Sequence, residues 1–178
     1  MIKKVFFFIF AFLLVSFQVE AQEFSELDKS PMDIIEFPSS ISQTNKLARI
    51  LYSRPQLKGR DLGQLAPNDK IWRTGANEST ELELFNDANI NGNMVKKGKY
   101  SIFTIPGKDE WTFILNSKLF TWGAYGYDDS NDVLRVKIKS YNSEKSIEAL
   151  SIVMEDNDNG FDMYMAWGKM RLKIPFTK

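Results

Sequence analysis

Val133-Leu134-Arg135-Val136-Lys137-Ile138-Lys139-Ser140 decides the fold, because Leu134, Val136 and Ile138 alternate strictly with Arg135, Lys137 and Lys139. Successive side chains of an extended backbone point to opposite faces of a sheet, so this spacing predicts a half-buried strand. The same alternation recurs towards the C-terminus in Leu150, Ile152 and Met154, in Phe161, Met163, Met165 and Trp167, and in Met170, Leu172 and Ile174 against Arg171 and Lys173. Asn91-Gly92, Lys97-Gly98, Pro106-Gly107, Asp158-Asn159-Gly160 and Trp167-Gly168 separate such stretches and supply the positive φ of tight reversals. No amphipathic helical pattern longer than about ten residues interrupts them.

From Leu47 onward this reading gives about nine strands, at 47–53, 71–73, 81–85, 94–95, 99–105, 111–116, 133–141, 147–155 and 161–174, the last folded as a hairpin. Short strands joined by regular turns predict an all-β fold, a single antiparallel β-sandwich or jelly-roll-like domain over residues 46–178. Residues 22–45 differ, being rich in Ser, Asp, Glu and Pro around one apolar patch, Met32 to Phe37. They read as a loosely ordered lead-in, within which Ile34 to Phe37 is short enough either to dock as an edge strand or to stay free.

The first 21 residues have the three parts of a signal peptide. Lys3 and Lys4 precede an apolar run from Val5 to Phe17, and Val19-Glu20-Ala21 offers small residues for cleavage before Gln22. The apolar run falls short of the roughly 20 residues of a spanning helix, so no stable membrane anchor is expected after cleavage. The expected location is the periplasm or the extracellular space. Without a cysteine there is neither a lipid attachment point nor a disulfide, and the core alone must hold the fold. Removing 21 residues from 178 leaves 157, enough for one domain. Lys3, Lys4 and Glu20 leave with the leader, so 23 basic and 23 acidic residues become 21 and 22, a net charge of −1. Such a chain carries no field to attract nucleic acid.

The absence of histidine and cysteine removes imidazole bases, thiolate chemistry, Ser-His-Asp triads and ordinary zinc sites. Carboxylate, lysine and tyrosine chemistry remain. The residues suited to a site fall in four segments: Tyr52 to Arg60, Trp72 to Glu78, Trp122 to Asp129, and Asp132 with Arg135. The segments YSRPQLKGRDLG, WRTGANEST, KYSIFTIPG, EWTFILN, WGAYGYDD and NDVLRV resemble the DUF2911 family, exported proteins of unassigned function from Bacteroidota and related bacteria. The resemblance extends over Leu47 to Phe176. It implies an exported single domain and transfers no catalytic residue.

Arg54, Arg60 and Arg73 suit a planar oxyanion, since guanidinium donors match carboxylate or phosphate oxygens in pairs. They suit equally an internal network with Glu78, Asp61 or Asp132. Glu78 with Asp128, Asp129 or Asp132 would make the carboxylate pair of a glycoside hydrolase. Trp72, Trp122, Tyr125 and Tyr127 offer flat platforms for sugar rings, whereas Trp111 and Trp167 sit in alternating apolar runs and belong to the core. The acidic loops at 128–132 and 155–162 match no calcium pattern, because position five from Asp156 is Gly160 and position twelve is Trp167. No metal and no cofactor is therefore assigned.

The expected binding residues are Arg54, Arg60, Trp72, Arg73, Asn77, Glu78, Tyr125, Tyr127, Asp132 and Arg135, gathered where Trp72–Glu78 meets Tyr125–Asp132. A non-catalytic module for a small polar or carbohydrate-like ligand is the first expectation. A carboxylate-based hydrolase using Glu78, and a structural envelope component, are the alternatives.

Overall fold

The computed structural model describes residues 22–178, and the signal peptide expected at 1–21 lies outside them. Nine strands form one antiparallel sheet: β1 (Met32–Phe37), β2 (Ala48–Ser53), β3 (Thr80–Leu84), β4 (Ala88–Ile90), β5 (Asn93–Val95), β6 (Gly98–Ile105), β7 (Glu110–Asn116), β8 (Asp132–Asn157) and β9 (Gly160–Thr177). Their spatial order is β1-β2-β3-β6-β7-β8-β9-β4-β5. A four-residue helix, α1 (Leu62–Leu65), and a 3-10 turn at Asp129–Asn131 are the only helical pieces among the described residues.

The sandwich is one sheet folded over. The first part of β8 pairs with β7, through Leu134↔Leu115 and Ile138↔Trp111, and its second part pairs with β9, through Ile152↔Met165 and Asn157↔Gly160. The register shifts between Asn142 and Ser151, and the extra residues there bend the strand from one layer into the other. The layers also meet at their far edge. Pro55 O accepts from Leu150 N, and Leu57 N donates to Glu148 O, so the chain leaving β2 docks on β8 and closes that side.

Alternation decides which face is buried. In β2, Ala48, Ile50 and Tyr52 point inward while Arg49 and Leu51 point out; in β3, Leu82 and Leu84 are buried against half-exposed Glu81 and Glu83. Trp72 stacks on Trp167 from the other layer, with centroids 5.5 Å apart, and meets Trp111 edge-on at 6.1 Å. At the opposite end Phe161 is stacked between Phe37, at 4.7 Å, and Phe176, at 4.6 Å. In a chain without disulfides these aromatics supply much of the transfer free energy, since each buries ~150–250 Å².

Three strand expectations are corrected. Residues 161–174 form no hairpin: β9 runs straight through Gly168, whose φ of +56 falls opposite Ile147, where β8 carries the extra residues. Residues 133–141 and 147–155 are one strand, and 71–73 contributes only the single bridge Trp72↔Thr104. The lead-in does supply an edge strand, β1, longer than Ile34–Phe37 and paired along its length with β2. Asn91-Gly92 turns as expected, with φ of +48 and +87 between paired Ile90 and Asn93.

Candidate functional site

A second, smaller buried cluster lies on the outer face of the first layer. Phe103 and Ile114 are fully buried there, although their strand neighbours Ile102 and Leu115 already fill the inner face. The segment between β7 and β8 covers them. The Tyr127 ring meets Phe103 edge-on at 5.0 Å, and the Tyr127 hydroxyl donates to Asp132 Oδ2 at 2.7 Å and accepts from Arg135 Nη2 at 2.9 Å. Asp132 further accepts from Asn116 Nδ2 at 2.9 Å and Arg135 Nε at 3.3 Å. Partial burial pushes the Tyr127 phenol up to about 12, and the Asp132 carboxylate reinforces that shift by accepting its proton while Arg135 opposes it.

Hydroxyls pin the other end of this cover. Ser79 Oγ lies 2.8 Å from Thr121 Oγ1 and 3.2 Å from Ser101 Oγ, and Ser101 Oγ donates to Lys118 O at 2.8 Å. The backbone joins in, with Ser79 N donating to Thr121 O and Gly123 N to Asn77 O, both at 2.9 Å. These bonds flank Glu78 and Trp122, which therefore face each other as a non-hydrogen-bonded antiparallel pair, the arrangement that brings opposite side chains closest.

The cover stops short of β1 and β2, leaving a cleft of about 450 Å³ on the outer face, lined by Met32, Leu51, Ser53, Glu78, Glu81, Phe120 and Trp122. Phe120 is 83% exposed and Trp122 61%, so the aromatic wall faces solvent. Asp28, Ser30 and Asn77 extend the opening past Glu78. Three non-glycine residues nearby sit in the left-handed region: Thr74 at φ +57, Asn77 at +59 and Phe120 at +58. For a β-branched or bulky residue that conformation costs about 1–3 kcal/mol and persists only where surrounding structure enforces it. A separate cavity of about 360 Å³ opens at the other end of the sandwich beside Leu47, Leu84, Phe161 and Phe176, and holds none of the sequence-predicted residues.

The ten expected site residues separate into groups. Trp72 is a core residue, 6% exposed, because its bridge to Thr104 turns it inward onto Trp167. Arg54 closes the layers: Nε donates to Leu150 O, Nη2 to Ser151 Oγ, and Nη1 pairs with Asp33 at 3.0 Å. Arg60 folds back on the carbonyls of Gln56 and Leu57. Tyr127, Asp132 and Arg135 satisfy one another. Arg73 lies on the outer face beside Phe103, three strand spacings or about 14 Å from the strand of Arg135, so the two share a face without touching. No ion pair joins Arg73 to Glu78 among the described residues, where every ion pair involves other groups. Tyr125 is 92% exposed, and Asn77 and Glu78 open into the cleft.

Two of the three loop carboxylates are committed internally, and Asp129 makes no side-chain hydrogen bond among the described residues. Asp128 accepts from Ser130 N and Oγ, which holds its carboxyl below the usual carboxylate range, and Asp132 has the three partners already named. The carboxylate that shares the cleft with Glu78 is Glu81. Sequence reasoning missed Glu81, Phe120 and Met32. Glu81 is one of the alternating polar residues of β3 and carries no local mark; Phe120 is an apolar residue beside Leu119 whose left-handed φ and exposure leave no sign in the sequence. Among the described residues no three carboxylates gather as a metal site.

Fold and cleft together define a single-domain, all-β antiparallel protein with an aromatic-and-carboxylate groove on its outer sheet face. A model of DUF2911, described as a protein of unknown function, matches residues 31–176, and the chain belongs to that family. The match begins at β1, ahead of the Leu47 at which the resemblance was legible. No curated protein and no solved structure matches the chain.

Proposed function

We propose that the protein is a non-catalytic binding module for a small polar, carbohydrate-like ligand, seated in the groove between β1–β3 and the Phe120–Trp122 wall. The observation that carries this reading is the side-by-side placement of exposed Trp122 and Glu78 by a fixed backbone pair. A sugar ring presents one apolar face and a rim of hydroxyls; an indole takes the first and a carboxylate accepts from the second. The strained Phe120 supports it, because an exposed phenylalanine in the left-handed region contributes nothing to stability that a glycine would not.

Isothermal titration of a panel of mono- and disaccharides tests it. Binding that is lost in Trp122→Ala and weakened at least tenfold in Glu78→Gln, with melting temperatures unchanged, is the expected result. A panel that gives no heat at millimolar sugar, or binding that ignores both substitutions, overturns the reading. In a hydrolase reading the partner of Glu78 moves from the 128–132 loop to Glu81, which lines the same groove; turnover of a bound saccharide that stops in both Glu78→Gln and Glu81→Gln would favour it. Export to the periplasm or the extracellular space remains part of the proposal, on the strength of the charged, apolar and small-residue N-terminal pattern alone.

A further inference from the structure

The six arginines of this chain are not alike. Arg49 binds Glu36 through Nε and Nη2; Arg54 makes three hydrogen bonds; Arg60 makes two to carbonyls; Arg135 is held by Asp132 and Tyr127; Arg171 reaches the carbonyls of Gly168, Met170 and Lys145. Among the described residues Arg73 has neither a hydrogen bond nor an ion pair through its guanidinium, and its Nε is buried without an acceptor. The rest of this half-buried guanidinium is likewise unbonded, so its Nη edge is where an acceptor from outside the chain would find donors that no group of the chain already holds.

The surroundings hold that guanidinium in place. Thr80 N donates to Arg73 O at 3.2 Å, and the bridge at Trp72 sets Arg73 alongside Phe103 on the outer face. Gly123 leaves the space above: a Cβ there would stand 3.6 Å from Arg73 Nη1 and 3.1 Å from the Tyr125 ring, at a φ of +64 that already favours glycine. Gly123 is the residue after Trp122, and its N–H is bonded to Asn77 O in the groove. Arg73 thus lies one residue beyond the aromatic platform, under a solvent-exposed tyrosine.

We propose that Arg73 is an anion-binding group and that the ligand is an acidic saccharide, with a carboxylate on Arg73 and a neighbouring sugar ring on Trp122. This rests on the reading of the groove given above. The planar fork of the guanidinium suits a carboxylate, and the Tyr125 ring lies close by over Gly123. Trp122 lines the groove while Arg73 approaches Gly123, the next residue, so ring and carboxylate would occupy neighbouring positions, and a disaccharide is the probe that offers both.

Cellobiose and cellobiouronate, which differ by one carboxylate, form a matched pair of probes. Titration calorimetry should show the acid binding at least tenfold more tightly, with a preference that shrinks as salt is raised, vanishes in Arg73→Gln and survives in part in Arg73→Lys. Because Arg73 makes no internal bond, Arg73→Gln should melt within a few degrees of the native chain. Equal affinity for the two disaccharides overturns the inference while leaving the groove reading intact, as does a preference that persists in Arg73→Gln. If neither disaccharide binds, the groove reading fails, and the Arg73 Nε–Hε resonance, assigned by its loss in Arg73→Gln, decides this one. Movement of that resonance with added glucuronate upholds the anion site, and a resonance that stays fixed overturns it.

Discussion

The inner and outer faces of the first layer bury comparable aromatic groups by different means. Inside, Trp72, Trp111 and Trp167, with Phe37, Phe161 and Phe176, pack ring against ring, and the fully buried Trp167 indole N–H donates to Glu148 O. Outside, Phe103 and Ile114 are covered by a segment that holds on with hydroxyls, an amide and an ion pair. A core closed by packing is complete in itself. A cover closed by directional bonds ends where its partners end, and the unmatched groups, Arg73, Glu78, Trp122 and Phe120, all stand along that margin.

The contrast can be broken most severely from the inside. Trp167→Ala should lower stability by about 3–5 kcal/mol in denaturant unfolding, because it removes the largest fully buried side chain and empties the space against Trp72. A loss under about 1 kcal/mol would mean the layers are not held by that stack. Arg54→Ala follows, with an expected loss of about 2 kcal/mol from hydrogen bonds to a charged group that is a third exposed.

The outer cover should respond more mildly and with a pH signature. Tyr127→Phe should cost roughly 1 kcal/mol. Because the folded phenol has its pKa raised from 10.0 to about 12, the native state keeps a proton that the unfolded chain releases; the corresponding stability is whole below pH 10 and fades as pH rises towards 12. Ultraviolet titration of the native protein and of Tyr127→Phe should differ by one late-ionising tyrosine, and an unchanged late fraction would refute the Tyr127–Asp132 bond. Burial also raises Tyr52 and Tyr100, so the difference between the two proteins, not the curve itself, is diagnostic.

The smallest effect on stability belongs to the margin. Phe120→Gly should leave unfolding unchanged or raise it by up to about 1 kcal/mol, since glycine tolerates φ +58 and no buried contact is lost, while saccharide binding weakens. Marked destabilisation would show that Phe120 is structural.

Much of the frame was legible because burial leaves a period in the sequence. Leu134 to Lys139 reads as a strand since its two faces differ, and β8 is that strand. β1 was harder, as Met32 and Ile34 are both over half exposed and only its pairing with β2 identifies it. Gly168 has the chemistry of a turn, yet its positive φ is used inside a continuous strand opposite the irregular stretch of β8 around Ile147, and the choice between them belongs to the partner strand. Within the site, Glu78, Asn77 and Tyr125 were recognisable as polar or aromatic residues in glycine-bearing loops. What could not be read was direction: Trp72 beside Arg73 resembles a site residue until its bridge to Thr104 turns it inward and Arg73 outward.

Trp122 offers a direct measurement, because the other three tryptophans are each at most 6% exposed. Acrylamide should quench a single class of accessible tryptophan that is missing in Trp122→Ala, and a saturating acidic disaccharide should shield that class in the native protein. An accessible class that no saccharide shields, or one that persists in Trp122→Ala, would contradict a groove walled by Trp122.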